Sequence, residues 1–256
     1  MDDAELVRAI EDNAAELLMA MGSAGGGVQR ESPEARWTIG GSPIDYHNAV
    51  VAASGDHVIA ESLAELRDLG VPGSWHVGPS MSPEDLGTRL VAAGFTPAGS
   101  EPGMAVRISE LIAPSVVPGL EIARVGDDEA LATWEATLGR GFGEGEKEAQ
   151  WVASVYRMLG YGDPWRHYLG RLDGTPVATT TIFLGAGVAG VYFVMTVPEA
   201  RRRGIGAAIT YAALREAGVV AEYGVLGSSP AGRSVYAGLG FREYCTIDLY
   251  EWAPTG

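Results

Sequence analysis

The chain predicts an α/β (α+β) fold in two domains, residues 1–115 and 116–256, and three observations lead there. Short runs of strand-like residues alternate with helical segments along the whole 256-residue length. A unit of strand, helix, Gly-Phe and strand occurs twice, ending once at Gly94-Phe95 and again at Gly240-Phe241. Between the two lies LIAPSVVPG, residues 111–119, where Pro114 and Pro118 interrupt both helix and interior strand.

The elements follow in chain order. The N-terminal MDDAELVRAIEDNAAELLMAMG is an acidic amphipathic helix with apolar positions at Leu6, Ile10, Ala14, Leu17 and Leu18. It lacks the plan of an export signal, which points to a cytoplasmic protein. YHNAVVAASGDHVIAESLAELRDLG supplies a strand and a helix, with Asp56 at the helix start. A strand at Trp75 to Gly78 precedes a helix opening near Ser82, with Pro83, Glu84 and Asp85 in its first turn, and a strand at about 103–109 follows. In the second half, LEIARVGDDEALATWEATLG gives a strand and a helix capped near Asp127, and a second helix spans 147–159 after the turn GRGFGEG. Asp173-Gly174 makes a hairpin turn between strands at 166–172 and 177–184. A third strand runs over 188–196, a helix starts at Ile205 and ends near Gly218, and a strand at 223–227 leads to a short helix containing Tyr236. The last strand ends at Trp252.

The most informative stretch is VMTVPEARRRGIGAAI, residues 194–209. A helix start offers four unbonded backbone N–H groups and a favourable dipole, which together suit a phosphate. Gly204 and Gly206 remove side chains where a ligand must approach the backbone, and Gly204 can also take a positive φ. Arg201, Arg202 and Arg203 concentrate charge there, in a chain with 18 basic and 33 acidic residues. No Gly-Lys-Ser/Thr follows Gly204, and Ile209 stands where a dinucleotide fingerprint needs its last glycine. The order reads as a pyrophosphate holder.

The run Arg201-x-x-Gly204-x-Gly206, preceded by Val197-Pro198, resembles the coenzyme A signature of the GNAT superfamily of N-acetyltransferases. The surrounding order of three strands, helix, strand, helix and strand is similar to that family's core. The resemblance implies two GNAT-like domains, each a mixed, mostly antiparallel twisted sheet flanked by helices, the first without a coenzyme motif. It implies acetyl-CoA as acyl donor. Backbone groups of Val194, Met195 and Thr196 would hold the pantetheine arm. The diphosphate would sit on N–H groups of Arg202, Arg203, Gly204, Ile205, Gly206 and Ala207, with the side chains of Arg201 to Arg203 at phosphate or in water. Tyr236 falls where the family often has a tyrosine near the coenzyme sulfur, and Ser229 stands where many members carry an asparagine. In the first half, Leu90 takes the position of that tyrosine, and the carboxylate of Asp56 would repel a phosphate.

The general base is harder to place. The strand VAGVYFVMT has no ionisable side chain except Tyr192, so Glu144, Glu146, Glu148 and His167 are the candidates. Phe142, Trp151 and Tyr156 are candidate lining residues for an acceptor pocket or ordinary core aromatics.

Net charge of −15 argues against a nucleic-acid partner and modestly favours a cationic substrate, a small-molecule amine. A protein N-terminus or lysine is the alternative acceptor, and a coenzyme-binding regulatory protein without catalysis is the alternative class. The apolar runs are too short to cross a bilayer, the four histidines lack metal-ligand spacing, and the single cysteine, Cys245, excludes an internal disulfide. A monomer or homodimer is expected.

Overall fold

A computed structural model describes residues 1–254. Two compact units emerge: Met1–Gly103 with Tyr244–Gly256, and Met104–Glu243.

The first unit opens with α1 (Asp3–Ala24), started by a reciprocal cap in which Glu5 N–H donates to Asp2 Oδ1 at 2.8 Å and Asp2 N–H donates to Glu5 Oε2 at 2.7 Å. Its apolar stripe buries Leu6, Ile10, Leu17 and Leu18 against β1 (Val28–Glu31), β2 (Ala35–Ile39) and β3 (Ala49–Ala53). Then come α2 (His57–Leu69), β4 (Gly73–Val77), α3 (Leu86–Ala92) and β5 (Thr96–Arg107). Trp75 on β4 is fully buried among Val58, Leu66, Leu86 and Leu90, and its indole N–H donates to Ser62 Oγ at 3.2 Å. The short polar strand β1 has no apolar alternation, so its sequence carries no strand signal.

The second unit contains β6 (Leu120–Arg124), α4 (Asp128–Leu138), α5 (Glu146–Leu159), β7 (Trp165–Leu172), β8 (Thr175–Gly185), β9 (Val188–Thr196), α6 (Ile205–Ala217), β10 (Tyr223–Gly227) and α7 (Arg233–Gly238). Asp127 caps α4 as expected, accepting from Ala130 N–H at 2.8 Å. The Asp173-Gly174 turn has φ values of 49° and 81°, the left-handed pair that a two-residue hairpin requires. The final strand is β11 (Arg242–Trp252).

Pairing within the units is mixed. The first has the order β1-β2-β3-β4-β11-β5 and the second β5-β10-β9-β8-β7-β6, with β5 counted in both because the boundary at Gly103–Met104 cuts it. Most neighbours are antiparallel. The pairs β3 with β4, at Ala49↔Ser74 and Val50↔Trp75, and β9 with β10, at Ala189↔Gly224 and Gly190↔Val225, run parallel.

These units differ from the 1–115 and 116–256 division read from the proline-rich segment. β11 pairs with β4, from Asp248↔Val77 to Trp252↔Gly73, and therefore belongs with the first unit. Residues 104–107 belong with the second, where Ile108 N–H donates to Glu222 O at 2.9 Å. Proline punctuation marks where regular structure stops, whereas strand pairing decides which residues share a core. Among the described residues no helix is long and apolar enough to cross a membrane, and no cluster of side chains could hold a metal ion.

A fragment spanning Met104–Glu243 is expected to melt above one spanning Val116–Glu243 by roughly 10–20 °C, since the shorter piece loses buried Met104, Val106 and Ile108. Equal melting temperatures by circular dichroism would show that this strand end does not stabilise the unit.

Candidate functional site

The site is laid out at the carboxyl ends of the parallel strands β9 and β10, within the second unit. β9 pairs with β8 at Thr181↔Tyr192 and again at Thr179↔Met195, so β9 carries one residue more than its partner over this stretch. This is a β-bulge, and it bends the strand that carries it. Phe193 occupies the bulge with φ of 51°, a left-handed conformation that costs a bulky residue about 1–2 kcal/mol. Its ring is buried near Trp134, Phe142 and Tyr156, with centroid separations of 6.2, 5.4 and 5.8 Å, a burial that contributes about 1.5–3 kcal/mol and offsets the strain. Two threonine hydroxyls serve the displaced carbonyls: Thr179 Oγ1 donates to Phe193 O at 2.9 Å and Thr180 Oγ1 to Tyr192 O at 3.3 Å. Beyond Gly190, β9 has no register partner on β10, so the two strands part before Val194, Met195 and Thr196.

After β9 the chain turns through Pro198–Ala200 and enters α6. Arg202 has φ of 59° and Gly204 φ of 79°, an alternation that aims successive N–H groups toward one concavity. No side chain caps the helix, and the first backbone bond into it is Ala208 N–H to Gly204 O at 3.0 Å. The N–H groups of Arg202, Arg203, Gly204, Ile205, Gly206 and Ala207 therefore meet no protein acceptor among the described residues. A Cβ built on Gly206 would touch only Thr196 Oγ1, at 3.6 Å. Protein packing does not demand a glycine there, whereas a ligand at the helix start would.

The three arginines divide. Arg201 turns into the protein: its Nε donates to Thr196 O at 3.0 Å and its Nη2 to Gly141 O at 3.3 Å. Its own N–H reaches Pro198 O at 3.4 Å. Arg202 and Arg203 are exposed and form no ion pair among the described residues.

Beyond β10, Ser229 forms a turn in which its Oγ accepts from Gly232 N–H at 3.3 Å, leaving its hydroxyl proton to donate elsewhere. Tyr236 on α7 is 9 % exposed, its ring 5.8 Å from that of Phe241. A Cβ on Gly232 would lie 2.8 Å from that tyrosine ring, so Gly232 is the glycine the ring requires.

The candidate bases are differently placed. Glu144 pairs with Lys147 Nζ at 2.9 Å, and Glu146 is exposed at the start of α5. Glu148 is 5 % exposed and accepts from Glu144 N–H at 3.0 Å. His167 is fully buried, stacked on Tyr156 at 3.9 Å with Nδ1 3.0 Å from Thr181 Oγ1, and burial pushes its pKa down to about 3. It is neutral at physiological pH but walled off. Tyr156 is core, and Phe142 is half-buried beside the bulge.

In the first unit the matching cleft, past Val50↔Trp75, is filled by the chain itself. Ser82 N–H donates to Ala53 O at 3.1 Å and Gly55 N–H to Ser82 O at 3.0 Å. At the start of α2, Asp56 Oδ2 lies 2.6 Å from Arg89.

Residues 121–222 match the family model described as the acetyltransferase (GNAT) domain, so the second unit carries GNAT homology. A GCN5-related N-acetyltransferase from Kribbella flavida shares the fold, with a TM-score of 0.70, 21% identity, and coverage of 95% of this chain and 96% of that one. A GCN5-related N-acetyltransferase from Sphaerobacter thermophilus gives 0.60 at 16% identity, covering 100% and 95%. A tandem GNAT protein from the clavulanic acid biosynthesis pathway gives 0.58 at 14% identity, covering 87% and 79%. No curated protein sequence matches.

Buried neutral His167 sets a sign for acid sensitivity. The unfolded chain binds its proton near pH 6.5, while the folded chain refuses it until about pH 3, so stability falls as pH drops through that window. The expected slope is about 1.4 kcal/mol per pH unit for this residue. His167→Phe should make urea midpoints between pH 6 and 4 flatter than the parent's, and an unchanged slope would contradict the assignment.

Proposed function

We propose that the chain is an acetyl-CoA-dependent N-acetyltransferase that moves an acetyl group to a primary amine of a small molecule. One observation carries the reading: six consecutive N–H groups, Arg202 to Ala207, stand without acceptors at a glycine-lightened helix start, directly after a bulged strand that has parted from its parallel neighbour. Those donors fit a diphosphate, and Gly206 leaves the space for it. The coenzyme would supply an acyl group activated as a thioester.

The residues then divide the work. Amides of Val194, Met195 and Thr196 would hold the arm and polarise the thioester carbonyl, as donors fixed before the reaction begins. The amine nitrogen attacks the carbonyl carbon, the carbon–sulfur bond breaks, and Tyr236 donates its phenolic proton to the departing sulfur. Ser229 would offer its hydroxyl to the arm. The proton released by the amine goes to water or to a carboxylate of the 144–148 segment. Arg202 and Arg203 would attract the phosphates, whereas Arg201 contributes through the fold. The first unit would be a worn copy whose cleft is plugged and which holds no coenzyme.

A second reading is a coenzyme-binding protein without catalysis, and it is favoured by the shortage of an accessible base beside β9. A protein N-terminus or lysine is the alternative acceptor.

Two variants test the proposal. Gly206→Glu places a carboxylate among the phosphate donors and should weaken coenzyme A binding by on the order of 100-fold, about 2.7 kcal/mol, in calorimetric titration. Undiminished affinity would remove the cradle from residues 202–207. Tyr236→Phe should lower kcat for thiol release by on the order of 100-fold with little change in acetyl-CoA KM, measured over a panel of amines. Tight coenzyme binding with no turnover on any amine would favour the non-catalytic reading.

A further inference from the structure

The glycine-rich turn between α4 and α5 is fastened to the turn that leads into α6. Arg201 reaches back to Thr196 O at 3.0 Å and across to Gly141 O at 3.3 Å, so one guanidinium joins the end of β9 to the glycine-rich turn. Arg140 forms an ion pair with Glu199 on the same side. A Cβ on Gly141 would lie 2.8 Å from Arg201 Nη2 and 3.4 Å from Pro198 Cδ, so the two turns are in close contact and glycine is what permits it. One residue further on, Phe142 meets Phe193, the bulge residue. The turn also carries Gly143 and Gly145 with φ of 46° and 68°, and Glu148 Oε2 closes it by accepting from Glu144 N–H. Each tie starts within a few residues of the free amides at 202–207.

We propose that Arg201 is a positioning residue, coupling occupancy of the amide cradle to the arrangement of residues 139–148. The inference rests on the coenzyme reading above and adds a second, coupled segment to it. A ligand that fixes Arg202 to Ala207 also fixes the backbone that carries Arg201, and through the Gly141 bond fixes the glycine-rich turn beside the bulge. Occupancy of the cradle and order in the turn then favour one another by the same factor. A guanidinium suits the task because it donates from two separate nitrogens in a fixed plane.

Hydrogen exchange with coenzyme A itself as probe is the test. In the parent, coenzyme A should slow amide exchange at 202–207 and also at 139–148. In Arg201→Gln the slowing at 139–148 should be lost while that at 202–207 persists, and Arg201→Lys should restore it in part. Should Arg201→Gln not fold, Gly141→Ala removes the same bond by displacing Nη2 and keeps the charge. Slowing confined to 202–207 in the parent, or slowing at 139–148 that survives both variants, overturns the coupling and leaves the coenzyme reading intact. Exchange unaltered at both segments overturns both.

Discussion

The second unit depends on a bulky residue held in a left-handed conformation. Phe193 stays there because its ring is buried near Trp134, Phe142 and Tyr156 while Thr179 and Thr180 satisfy the carbonyls that the bulge displaces. Aromatic burial and two hydroxyl donors outweigh a local strain of about 1–2 kcal/mol. The extra residue bends β9, and pairing with β10 is kept only at Ala189 and Gly190. Helix α6 then begins beyond the end of a strand that has separated from its neighbour. Had Phe193 stayed extended, the ladder could have continued and the backbone donors beyond it would have been spent on a strand.

The two units share a plan and differ in where their donors go. Each has a pair of parallel strands joined at two register positions, followed by a helix. In the first, the segment after β4 folds back and Ser82 takes up Ala53 O and Gly55 N–H, while Asp56 stands at the helix start. In the second, glycines stand at that start and the N–H groups remain open. A similar topology thus yields a closed cleft or an open one according to a few residues at the strand end.

Much of this was legible in the chain, for local reasons. Asp173-Gly174 marks its hairpin because few residue pairs tolerate two left-handed positions in succession. Arg201-x-x-Gly204-x-Gly206 locates the start of α6 because glycine takes the positive φ at 204 without strain and keeps the backbone bare at 206. Other features depend on distant residues and leave no local mark. Phe193 reads as an ordinary strand residue, since what holds it comes from α4, α5 and β8. Nothing in the run of arginines shows that Gly141, far away in the chain, accepts from Arg201. β1 is too polar to show a strand pattern, and no residue in β11 announces that its partner will be β4.

That last pairing bears on how the molecule is made. β4 gains its antiparallel neighbour from Asp248 to Trp252, which are synthesised only after the second unit, Met104–Glu243, has been made. Until then the nascent first unit presents a bare row of N–H and C=O groups along one side of β4, an invitation to mispair that is withdrawn only when β11 has emerged. The two units are therefore not independent in time. Whatever protects that edge during synthesis must act until β11 is free to pair.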